Sequence, residues 1–216
     1  LMYAGNSVNI GGNPDAYDFS GTLILAGTEE GIVNGSGSGN NFNIRETKDI
    51  NNNAVAPLNN LIIRVANTGG EFRLRDGTTN DFTVKGNLIV ESGATGRIRF
   101  YNNDISIGGN FIVEEGFAGT IDATKSIRLN GIDLQEVKHN NALNTQKLII
   151  DNPAGVQMDA ITNISYELIF MNGILNLSEN SMVKMGLNAI TTGFDADKYI
   201  NGQFAIKTNN EQSLEL

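Results

Sequence analysis

The chain has no cysteine and no tryptophan, and only one histidine and three prolines, in 216 residues. Without cysteine there is no disulfide framework, no thiol nucleophile and no thiolate metal site. The single histidine, His139, stands in the polar stretch KHNNALN; a triad would need a serine and an acid beside it, so a solvated surface position is expected. Lysine and arginine are few and unclustered, and the net charge is −9. Binding by phosphate neutralisation is therefore not expected, and no nucleic-acid partner is assigned. No apolar run approaches the length of a membrane span, so membrane insertion is not expected either. No signal-peptide pattern is read, and because the chain opens in mid-phrase at Leu1 and closes on EQSLEL it reads as a piece of something larger.

What is present is punctuation. There are 31 asparagines and 25 glycines, set between short runs of Val, Ile, Phe and Thr. Both residues tolerate the left-handed backbone that tight corners need, so a strand-rich fold with many corners accounts for them without a ligand.

One phrase recurs. Residues 81–93 read DFTVKGNLIVESG and residues 104–116 read DISIGGNFIVEEG, at an offset of 23. SIRLNG (126–131) is a third copy and SVNIGGN (7–13) an early one. A period of this length marks a solenoid, whose repeats bury their apolar faces only by stacking. The expected fold is all-β: a right-handed parallel β-helix of about 22–23 residues and three short strands per turn, with about eight turns in all. Val84 should then lie over Ile107 and Val90 over Val113, with turns about 4.8 Å apart.

Residues 1–58 read as N-terminal turns with a protruding Gly/Asn-rich loop (31–43) and a second irregular connection at 48–57. Residues 59–186 read as regular turns, and 187–216 as a terminal unit leading to a following domain. NNLIIRVANTGG (59–70) and QKLIIDNPAGV (146–156) lie about 87 residues apart, close to four turns. Around LQEVKHNNALNT (134–145) the register weakens, and a short helix or an external loop is expected there.

Four acids are candidate metal ligands. Asp81 and Asp104 share a repeat position and would stand about 5 Å apart on adjacent turns, in corners that also carry Asn80 and Asn103. Such oxygen-rich corners could hold calcium. Against this, Asp after Asn at a corner also caps the turn with its own side chain, and Ser126 at the third copy favours that role. Asp195 and Asp197 form a second Asp-x-Asp candidate after Gly193. No cofactor other than calcium is expected.

Polysaccharide cleavage needs two acids across a groove. Glu91 and Glu114 are repeat equivalents, and with Glu115 they fit a solvated acidic ladder equally well. Lys85 and Arg128 should face outward with no evident substrate role. Sugar-stacking aromatics are scarce, since Tyr3, Tyr17, Tyr101, Tyr166 and Tyr199 are scattered. An enzyme is therefore not expected.

The order QKLIIDNPAGVQM, ELIFMNGILNL, SMVKMG, running on into KYINGQFAIKT, resembles the repetitive stalk regions of very large Bacteroidetes surface proteins secreted by the type IX system. There an L-x-I-x-N-x-x-G-V phrase leads to L-x-L-x-x-G-x-L-x-L and then Y-V-x-G-P. Tyr199, Ile200, Asn201 and Gly202 fit the last phrase, with Gln203 in place of the proline. The resemblance covers the chain from Gln146 onward, and the remainder only in style. It implies an extracellular, cell-surface stalk or adhesin segment, whose partners are neighbouring domains of the same long chain, the secretion machinery, and surface glycans or other cells. The alternative is a carbohydrate-binding or polysaccharide-processing β-helix.

Overall fold

The computed structural model describes residues 2–4, 22–27, 41–44, 60–74, 82–91, 95–100, 104–207 and 213–215. Among them there is no helix, and the strands wind into a parallel β-solenoid of about six turns. The chain begins with β1 (Met2–Ala4), β2 (Thr22–Gly27), β3 (Asn41–Ile44) and a long β4 (Asn60–Leu74). The repeated phrases follow as β5 (Phe82–Val84), β6 (Leu88–Val90), β7 (Thr95–Phe100), β8 (Ile105–Ile107) and β9 (Phe111–Val113). Next come β10 (Thr120–Leu129), β11 (Gln135–Lys138), β12 (Leu143–Asp151), β13 (Val156–Asp159), β14 (Ile161–Asn172) and β15 (Leu175–Leu177). The last are β16 (Met182–Met185), β17 (Ile190–Thr192), β18 (Ile200–Asn201), β19 (Gln203–Lys207) and β20 (Ser213–Glu215).

Each turn contributes to three faces. The first stacks β1, β2, the start of β4, β6, β9, β11, β13, β15 and β18. The second stacks β3, the end of β4, β7, the first half of β10, the starts of β12 and β14, then β16 and β19. The third stacks β5, β8, the second half of β10, the later parts of β12 and β14, and β17. In the middle turns the second and third faces fuse into single bent strands, and the register shifts at the bend, between Ala123 and Ser126 in β10.

The period-two pattern of the repeat decides what goes inside. Phe82 and Val84 are buried around a half-exposed Thr83, and Leu88 and Val90 around Ile89. Phe82 pairs with Ile105, Val84 with Ile107 and Val90 with Val113, so the expected columns exist. One interior column runs Phe82, Ile105, Ile127, Leu148, Leu168; another runs Leu61, Leu88, Phe111, Val137, Met158. All ten side chains are essentially inaccessible to solvent. Burial of like on like sets the register, because a slip of one residue would turn every apolar side chain outward.

Turns are less regular in length than the repeat implies. Leu23 pairs directly with Leu61 across a long connection, while Leu148 pairs with Leu168 across a much shorter one. The likeness of 59–70 and 146–156 is consequently not a vertical alignment. Leu61 belongs to the first face and is four rungs from Met158, whereas Leu148 belongs to the third. The segment 134–145 is neither helix nor external loop: β11 and the start of β12 continue the coil. Past residue 187 the parallel pairing goes on through β17, β18 and β19, whereas β20 pairs antiparallel with β19 and an isolated antiparallel bridge joins Asp195 to Lys198. Ser7–Ile10 and residues 48–57 lie outside the described residues, as does the Gly/Asn-rich loop apart from 41–43, which belong to β3.

The corners are built by amides. Asn60 Oδ1 accepts the backbone N–H of Asn87 at 2.7 Å, Asn87 Oδ1 that of Asn110 at 2.7 Å, and Asn110 Oδ1 that of Glu136 at 2.8 Å. One side chain per turn thus satisfies a donor that the next turn would otherwise leave unpaired. The glycines beside this ladder let turns approach: a Cβ on Gly109 would sit 2.5 Å from the Gly86 carbonyl carbon. Gly173 has φ +81° and packs directly on the Asn152 carbonyl oxygen, where any Cβ would collide. Gly173→Ala is expected to lose about 3 kcal/mol through strain and displacement of that rung, read as a lower urea midpoint.

Candidate functional site

A long groove lies where the second and third faces bend. Its volume is about 840 Å³, and its lining includes residues of β10, β12, β14, β16 and β19. Five stacked strands at about 4.8 Å give it a length of roughly 20 Å along the coil axis. The bend that creates it depends on hydroxyls. Thr124 Oγ1 donates to the Phe100 carbonyl at 3.1 Å, and Thr145 Oγ1 to the Lys147 carbonyl at 2.8 Å. These side chains occupy backbone acceptors at the corner, so a bent strand continues without orphaned carbonyls.

Along one wall runs a polar ladder. Arg97 Nε donates to Asp122 Oδ2 at 2.7 Å, Asn144 Nδ2 to Asp122 Oδ1 at 3.2 Å, and Asn163 Nδ2 to Asn144 Oδ1 at 2.8 Å. An ionised carboxylate can only accept, so Asp122 fixes which way both amides point. Lys184 follows Asn163 on the next rung, and Lys207 lies at the far end of the groove. Asp122 is the sole carboxylate among the lining residues, whereas Arg97, Lys184 and Lys207 are cationic. The groove is thus locally positive on a chain of net charge −9.

The predicted site residues lie elsewhere. Asp104 Oδ1 accepts from Ser126 Oγ at 2.6 Å and Ser126 N at 3.2 Å, so its carboxylate joins its corner to the equivalent position one turn on rather than closing its own turn. Its repeat partner Asp81 lies outside the described residues, as do Asn80, Asn103, Tyr17 and Tyr101. Asp195 pairs with Lys198 Nζ at 2.7 Å and accepts from Asp197 N at 2.9 Å. These bonds, first that from Lys198, hold the Asp195 carboxyl below its ordinary pKa. The cation facing Asp195 is thus an ammonium from its own turn, and Asp197 contributes its backbone N–H to that turn. Among the described residues no group of three or more His, Asp or Glu side chains converges.

Glu91 and Glu114 follow the paired Val90 and Val113 on the first face, and with Glu115 they are absent from the groove lining. Lys85 is exposed. Arg128 is half-buried on the outer surface and ion-paired with Asp151, with which it forms two hydrogen bonds. Tyr166 is exposed under the Lys147 ammonium, and Tyr199 is also exposed; neither lines the groove.

His139 corrects the sequence reading. It is buried, with its ring edge-on to Phe111 at a centroid distance of 6.3 Å. The alternation Gln135 in, Glu136 out, Val137 in, Lys138 out, His139 in was legible, but the asparagines that follow masked it. Neither ring nitrogen has a hydrogen-bond partner among the described residues. Burial lowers its pKa to about 4, so the imidazole is neutral at pH 7.

Gln135 was not singled out by the sequence reading at all. It is buried inside the first face with all its polar atoms engaged. Nε2 donates to the Ile107 and Gly109 carbonyls at 2.8 and 2.6 Å; Oε1 accepts from Gly131 N at 2.8 Å and Asn152 Nδ2 at 3.0 Å. Asn152, also fully buried, donates to the Asp133 carbonyl and accepts from Ala154 N. The pair clamps three successive turns.

Comparison with protein-family models, curated proteins and solved structures finds no match to this chain.

Proposed function

We propose that the chain is a non-catalytic segment of an extracellular stalk or adhesin, part of a large bacterial cell-surface protein. The observation that carries this reading is where the polar side chains are used. Asn60, Asn87, Asn110, Gln135 and Asn152 each bond from one turn to another, so these five amides are committed to holding the coil together along its axis. A solenoid of that kind transmits load from turn to turn and lengthens by adding turns, which is what a spacer needs. The resemblance of the chain from Gln146 onward to type IX-secreted stalks adds the surface location. The acids that paired-carboxylate hydrolysis would require do not meet in the groove, where Asp122 is bonded to Arg97 and Asn144.

Antibody raised against the purified chain should label intact source cells, and external protease should remove the label. Labelling only after permeabilisation would refute the surface assignment. Release of reducing ends from any polysaccharide by the purified chain would replace the stalk by the enzymatic alternative.

A further inference from the structure

We infer that the groove at the bend between the second and third faces binds an extended acidic glycan, lying along the coil axis. Three features of the groove converge on this ligand class.

Its shape is the first. A channel roughly 20 Å long, open along stacked strands, suits a linear polymer better than a compact metabolite. Its polar equipment repeats with the rungs, at a spacing comparable to one pyranose ring.

Its hydrogen-bonding capacity is the second. A primary amide has two N–H donors and two acceptor lone pairs. Asn144 uses one donor on Asp122 and one acceptor for Asn163, and Asn163 uses one donor on Asn144. Asn144 keeps one donor and one acceptor, and Asn163 one donor and two acceptors, which match hydroxyl groups that both give and receive. Gln146, exposed on the same lining, offers the same pair. Met182 and Ile206 supply apolar surface for the C–H faces of sugar rings, in place of aromatics.

Charge is the third. Asp122 is neutralised by Arg97, which leaves Lys184 and Lys207 as the net charge of the lining. Neither has an acid within ion-pair distance among the described residues. On a chain of net charge −9, two such ammonium groups in one groove select for carboxylate or sulfate on the ligand rather than for a neutral sugar.

The inference stands apart from the stalk reading, since a groove on the flank of the coil can bind whether or not the coil is a spacer. Titration calorimetry of the intact chain with oligogalacturonate, heparin oligosaccharide and maltoheptaose provides the test. Binding of at least one acidic oligosaccharide is expected, weakened several-fold between low and physiological salt, with maltoheptaose at least tenfold weaker. The double variant Lys184→Gln, Lys207→Gln should lose tenfold or more in affinity with an unchanged thermal midpoint. Lys138→Gln, on the first face, should bind as the parent does. No binding of either acidic probe at millimolar concentration would overturn the inference. So would equal binding of maltoheptaose, or acidic-probe affinity indifferent to the double substitution. Because the double variant alters only surface side chains, its circular dichroism separates lost binding from lost fold.

Discussion

Gln135→Leu should be among the most damaging conservative-volume substitutions in the chain, at about 3–5 kcal/mol. The side chain makes four hydrogen bonds inside the coil. Two of its partners have other bonds: the Ile107 carbonyl also accepts from Asn130 N, and the Asn152 amide also donates to Asp133. The Gly131 N–H and the Gly109 carbonyl lose the partner that Gln135 supplies, and each such buried group costs about 1–3 kcal/mol when unpaired. Leucine regains part of that through apolar burial, so the loss stays at a few kcal/mol. Because solenoid stability sums over turns and their interfaces, damage should be local first. Hydrogen exchange should accelerate around residues 107–109, 131–135 and 152 before it does elsewhere. A change below about 1 kcal/mol, or exchange spread evenly over the coil, would contradict the clamp. Gln135→Glu separates polarity from size. Its carboxylate would face two carbonyl oxygens, so it must hold a proton to replace the amide donor. Its pKa in the fold would rise, and the variant's loss relative to the parent should be smaller at pH 4 than at pH 7.

The opposite sign is expected at His139. Its pKa is lowered to about 4 in the fold, against an ordinary value of 6.5. Between those values the unfolded chain binds a proton that the folded chain refuses, so stability rises with pH through the window and is lost as pH falls from about 6.5 to about 4. At pH 5 the parent should be about 2 kcal/mol less stable than at pH 7 from this group alone. His139→Leu removes the titrating group together with two buried nitrogens that lack partners among the described residues. The variant should be more stable than the parent at both pH values, with a margin about 2 kcal/mol larger at pH 5. Urea unfolding at the two pH values measures this. A margin that does not change with pH would mean that the imidazole titrates normally and is not sequestered against Phe111.

These two residues also show where sequence reading stopped. Both lie in 134–145, where the apolar pattern is diluted by Gln, His and Asn, and a strand signal built on Val, Ile and Phe weakens. The alternation was intact; what it lacked was an apolar residue at every inward position. Asp104 is an intermediate case. The repeat placed Ser126 at the equivalent position one turn on, which was legible, but the bond runs between the turns instead of closing Asp104's own corner. The groove left no such trace, because its lining residues are spread from Arg97 to Lys207 and meet only through stacking.

Sequence alone determined the strand alternation, the interior columns within the two matched phrases, and the use of Asn and Gly at corners. These are local properties: neighbouring side chains on a strand must point to opposite faces, and only certain residues turn tightly. Tertiary structure decided how long each turn is, which face a given phrase occupies, and whether a polar side chain ends up inside. Corner segments can lengthen outward without disturbing the rungs on either side, so spacing along the chain does not fix position in the coil. That is why Leu61 is four rungs from Met158 rather than aligned with Leu148.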